Sequence, residues 1–129
     1  MSRREDDLTA FRADHADAQL VDLGNGLTGI LLPEEPLPGT WTKPTTQLVW
    51  LVSPAYPTQG LDCFWIDEDA HSPPGNPAVN TQIQDCPLRT GIKRRWVSWH
   101  MQWNPLAHDI EVWLQSIRKC LRQATGKVP

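Results

Sequence analysis

The chain has 129 residues, enough for one domain with a modest core and too few for two. Net charge is −3 and the 12 basic residues are scattered, which argues against a nucleic-acid partner. No apolar run approaches the ~18 residues of a membrane helix, so no membrane association is expected.

The elements follow in chain order. Residues 1–4 are expected to be disordered, and residues 5–14 to form a short helix, with Leu8 and Phe11 three apart on one apolar stripe. Gln19–Leu23 and Leu27–Leu32 read as a hairpin around Gly24-Asn25-Gly26, residue types that tolerate positive φ. Pro33 to Pro44 holds four prolines and is expected to form no regular element. Thr45–Ser53 is a strand, rich in β-branched and aromatic residues. Pro54-Ala55-Tyr56-Pro57 turns the chain, and Leu61–Ile66 makes a fourth strand.

Asp67 to Gly91 shows no period and is expected to be a long functional loop. Asn104 reads as a helix N-cap with Pro105 in the first turn. Leu106, Ile110, Trp113, Leu114, Ile117 and Leu121 then recur at helical spacing to Gly126. The sum is a single α+β domain over 1–129, with 123–129 as a tail: a short helix, four antiparallel strands in a meander, a long loop and a terminal helix.

The segment Trp96-Val97-Ser98-Trp99-His100-Met101-Gln102-Trp103-Asn104-Pro105 carries three of the seven tryptophans. Indole and imidazole favour sites with one apolar side and one polar partner, so the segment reads as a groove wall. In an extended segment Ser98 and His100 project from one face, the minimal arrangement for an activated oxygen nucleophile. The bland alternative is a serine bonded to backbone and a histidine packed among tryptophans. Cys86, in the polar loop near Lys93-Arg94-Arg95, reads either as an exposed thiol with lowered pKa or as an incidental surface thiol. That basic triplet itself reads as a solvated turn or a small binding patch.

Cys63 and Cys120 are expected to pack as small apolar residues. The cysteines are three in number with no CxxC pair, so reduced thiols in a cytoplasm are expected, and no structural zinc. The N-terminus lacks an apolar signal core. Asp67, Glu68, Asp69 and His71 read as a solvated acidic loop, with a metal-dependent hydrolase using His71 and His100 as a third possibility. His15 and His108 read as surface residues. Trp41, Trp50, Trp65 and Trp113 are expected in the core, with Trp50 and Trp65 as a cross-strand pair.

Two pieces of the chain then fall in a familiar order. Leu48-Val-Trp-Leu-Val-Ser-Pro-Ala-Tyr56-Pro57 followed by Cys63-Phe64-Trp65 resembles the strand, Tyr-Pro turn and next strand of the ubiquitin-conjugating (E2, UBC) superfamily. Trp103-Asn104-Pro105 before an amphipathic helix is similar to that superfamily's Trp-Ser-Pro step. Leu37-Pro38-Gly39 and Trp96-x-Ser98-x-His100 resemble motifs of its bacterial branch, prokaryotic E2 family E. The likeness spans about residues 20–122.

The resemblance implies a UBC-like fold and a carrier in a bacterial ubiquitin-like conjugation pathway. Such a carrier accepts the modifier from an E1-like activating enzyme, with a JAB-type protease as a further companion and no cofactor or metal. The chain departs from the superfamily in lacking His-Pro-Asn. Counted back from Trp103, the usual cysteine position falls near Arg95. Ser98 as an oxyester acceptor with His100 as base, Cys86 as a thiol acceptor, or an inactive E2-variant or RWD-like interaction module are the three outcomes left open.

Overall fold

The computed structural model describes residues 2–39, 41–70, 80–88 and 92–123, and of Asn80 the backbone alone. The elements run α1 (Arg3–Asp14), β1 (Gln19–Asp22), β2 (Thr28–Pro36), β3 (Thr45–Val52), β4 (Phe64–Asp67), β5 (Asn80–Asp85), β6 (Lys93–Ser98) and α2 (Ile110–Gln123). The strands form one antiparallel sheet in the order β1-β2-β3-β4-β6-β5. The described residues therefore form an α+β fold with six strands rather than the four expected. The two additional strands lie where a long loop and a solvated basic turn were expected.

Each expected strand has a local cause. Gly24, Asn25 and Gly26 adopt φ of 87°, 55° and 79°, and Leu27 N–H donates to the Gly24 carbonyl at 3.0 Å, closing the β1–β2 turn. The left-handed region carries little strain for glycine and is tolerated by asparagine. β2 continues through Pro33 to Pro36, against expectation. Its register with β3 shifts between Leu32 and Glu35, so the proline ring interrupts the ladder at an irregularity where no donor is required.

The pleat sends alternate residues to opposite faces. Ile30, Leu32, Leu48, Trp50, Val52, Phe64, Ile66 and Val97 lie in the main core with residues of both helices. α1 contributes Leu8 and Phe11, and starts at Arg3 because the Ser2 hydroxyl accepts the Glu5 N–H at 3.2 Å. α2 contributes Ile110, Trp113, Leu114, Ile117, Cys120 and Leu121 at three- and four-residue steps. The other sheet face carries a smaller cluster of Leu31, Val49, Trp65 and Cys86, flanked by Leu51, Leu88 and Trp96.

Several local expectations change. Trp50 and Trp65 are both buried but lie in different clusters on opposite faces; Trp65 instead pairs in register with Trp96. α2 begins at Ile110, not Asn104. Asn104 caps only a turn, its Oδ1 taking the Leu106 N–H at 3.0 Å, and Asp109 Oδ1 caps the helix through the Val112 N–H at 3.0 Å. Leu106 is thus 94% exposed instead of packed. His71 and Gly126 lie outside the described residues.

Candidate functional site

The site forms where the chain enters β4 and leaves β6. Phe64 pairs with Val97 and Trp65 with Trp96, so the residues just before β4 lie beside those just after β6. Cys63 N–H donates to the Trp99 carbonyl at 2.9 Å and extends that contact by one step. Cys63 has φ of 57°, a conformation uncommon for a non-glycine residue and enriched at functional sites.

This pairing brings Asp62 against His100, 38 positions along the chain. Asp62 Oδ1 bonds to His100 Nδ1, and His100 Nε2 lies 3.4 Å from Ser98 Oγ. A carboxylate on one ring nitrogen sets the tautomer that leaves the other free to accept a proton. The side chains of Asp62 and His100 are 58% and 65% exposed, and Ser98 is half-buried. The expected Ser98–His100 proximity is therefore present. Asp62 was not singled out in the sequence, because nothing local marks a carboxylate whose partner is so distant.

Cys63 stands behind this chain at 8% exposure. Burial pushes its thiol up, and the Asp62 charge adds to this, against hydrogen bonds from the Trp99 backbone and the Ser98 hydroxyl. Asp62, Cys63 and His100 offer a carboxylate oxygen, a sulfur and a ring nitrogen that all lie within 4.8 Å of one another. Among the described residues, these three are the ones that could hold a metal ion. Cys63 was expected only as a packing residue.

Cys86 does not fit an exposed nucleophile. It is 2% exposed, packed with Leu31, Val49 and Trp65, and burial pushes its thiol up. Cys120 is fully buried in the main core and pushed up to about 12 by burial. Lys93-Arg94-Arg95 is no solvated turn. All three are in β6, Arg94 is 5% exposed with Nη1 on Gln47 Oε1 at 2.7 Å, and Arg95 reaches Thr81 Oγ1 and the Glu68 carbonyl. A groove of about 370 Å³ beside Arg94, Gln47 and Asp67 has no cysteine, serine or histidine among its described lining residues and stands apart from the Ser98 site.

The Tyr-Pro turn and the Trp-Asn-Pro step are neighbours. Trp103 Nε1 donates to the Pro57 carbonyl at 2.8 Å, and its ring lies 5.7 Å from that of Tyr56. Gly60 permits this approach: a Cβ there would sit 2.5 Å from Trp103 Cγ. The Tyr56 hydroxyl donates to Asp7 Oδ2 at 2.6 Å, and Arg3 bonds to the Pro105 carbonyl, tying α1 to both motifs. Trp99 Nε1 donates to Ser116 Oγ at 2.9 Å, which anchors the segment between Ser98 and His100 to α2. No protein-family model matches the chain, and no curated protein or solved structure matches it either.

Proposed function

We propose that the chain is an E2-like acyl carrier, accepting the C-terminal carboxyl of a ubiquitin-like protein on Ser98 as an oxyester. The observation that carries this reading is the hydrogen-bonded chain Asp62–His100–Ser98, an acid, base and hydroxyl in the order that activates a serine. A free serine hydroxyl is a poor nucleophile, so a base within reach is the requirement that matters most.

The chemistry balances as a transacylation. Ser98 Oγ attacks the carbonyl of the modifier's thioester on an E1-like enzyme, and its proton passes to His100 Nε2. The thiolate leaves and takes that proton, and an oxyester remains. Asp62 holds His100 through Nδ1 and stabilises the imidazolium while it exists. The 3.4 Å separation in the free protein is at the loose end for such a pair and tightens on substrate binding. Ser98 is preferred over Cys63 because it is half-buried, whereas Cys63 is 8% exposed.

The UBC-like reading rests on the succession of elements. An N-terminal helix precedes β1, β2, β3 and β4, which pair in chain order, and a Tyr-Pro turn follows β3. A Trp-Asn-Pro step precedes the terminal helix. The partners are then an E1-like activating enzyme and a ubiquitin-like modifier, with a JAB-type protease acting in reverse.

The test incubates the chain with an E1-like enzyme, a ubiquitin-like modifier and ATP, and follows a covalent adduct. The expected adduct resists thiol, yields to hydroxylamine and is absent in Ser98→Ala. A thiol-labile adduct would move the acceptor to Cys63. No adduct with a competent activating enzyme would leave the domain as an RWD-like interaction module.

A further inference from the structure

Asp62, Cys63 and His100 come from two chain segments and present three different donor types. Their oxygen, sulfur and nitrogen atoms all fall within 4.8 Å of one another. In a tetrahedral zinc site with bonds of 2.0–2.3 Å, neighbouring donors are about 3.4–3.8 Å apart. To meet on one ion, the widest pair must close by no more than roughly 1 Å, and the hydrogen-bonded Asp62–His100 pair must open. The two exposed side chains, Asp62 and His100, are free to make that adjustment. Cys63 is the fixed member, held by its backbone bond to Trp99 and by its left-handed φ.

We propose that Asp62, Cys63 and His100 form a binding site for a divalent ion of intermediate softness, zinc above all. The donor set decides the ion. One sulfur, one imidazole and one carboxylate suit zinc, whereas calcium and magnesium take oxygen ligands. Three protein ligands leave a fourth position open to solvent, as in zinc sites that keep a water. On binding, Cys63 releases its thiol proton to solvent. The proton on His100 Nδ1 moves to Nε2 as the ion takes its place beside Asp62, so the metal-bound form does not use His100 as the base for Ser98. Ser98 Oγ, 3.4 Å from His100 Nε2, faces the ring nitrogen opposite the Nδ1 that bonds to Asp62.

The proposal needs only the ligand set and does not depend on the acyl-transfer reading. The experiment titrates the metal-free, reduced full chain with cobalt(II), a spectroscopic stand-in for zinc, and then displaces it with zinc. The expected result is one equivalent bound, with a thiolate-to-cobalt charge-transfer band and the visible bands of four-coordinate cobalt. Cys63→Ser removes the charge-transfer band. Asp62→Asn and His100→Ala each weaken binding at least about tenfold. Circular dichroism of each variant confirms that the fold is retained. Absence of a stoichiometric cobalt spectrum in the wild type, or a charge-transfer band that survives in Cys63→Ser, would overturn the site. Neither outcome touches adduct formation on Ser98, which is read by mass.

Discussion

Glu111, in the first turn of α2, takes hydrogen bonds from His15 Nε2 at 2.6 Å and Gln115 Nε2 at 2.9 Å. Burial alone would raise its pKa, but the bonds from His15 and Gln115 outweigh it and hold the carboxyl below its usual range. A carboxyl depressed in the folded state stabilises above its unfolded pKa and loses that contribution as pH falls through the folded value. Glu111→Gln is therefore expected to lower the stability slightly at neutral pH, by about 0.5 kcal/mol, the range of exposed pairs, and the melting temperature with it. The difference from wild type should fade as pH falls through the lowered carboxyl's range. Thermal melts at a series of pH values measure it; a deficit that grows on acidification would contradict the assignment. Legibility at this scale tracks locality. Ser98 and His100 are two apart, and their contact could be read from extended geometry. Asp62 could not be read, because its contact depends on β4 pairing with β6. Cys86 was misread for the same reason: its polar neighbours in sequence are not its neighbours in space.

The elements show which sequence signals are decisive. β1, β2 and β3 were legible because the Gly-Asn-Gly turn and the β-branched, aromatic runs act locally. β5 and the start of β6 were not, since Asn80-Thr-Gln-Ile-Gln-Asp85 and Lys93-Arg94-Arg95 are polar and take strand form only by pairing with each other and with β4. The Asn-Pro helix signal was real but short-ranged, and Asp109 supplies the cap that starts α2. β2 and α2 are joined by Glu35, 4% exposed, whose two oxygens accept from Arg118 Nε and Nη2 at 3.0 Å each. Removing one partner of a buried pair leaves an uncompensated charge, whereas replacing both with apolar groups is far milder. Arg118→Met should destabilise by about 3 kcal/mol, and Glu35→Leu with Arg118→Met together by less than half of that. Urea unfolding decides the matter; equal losses in the single and double variants would contradict the assignment of the penalty to a stranded Glu35 charge.

At the scale of the molecule, the sheet does what no segment does alone. Its central strands bury one face against both helices, and its β4–β6 pairing delivers two loops to one place. The broad class, an α+β domain with a helix at each end, was legible from periodicity and turn chemistry. Strand number and the site's full membership were not, because both are fixed by long-range pairing. No helix among the described residues is long and apolar enough to cross a membrane.

The reading of function stands on Ser98 being chemically activated by His100 under the hold of Asp62. Labelling with a fluorophosphonate, which reports activated serines, tests it without any partner protein. Peptide mass spectrometry should place the label on Ser98, with the rate at least about a hundredfold lower in His100→Ala and reduced in Asp62→Asn. An unlabelled Ser98, or a labelling rate indifferent to His100, would contradict it.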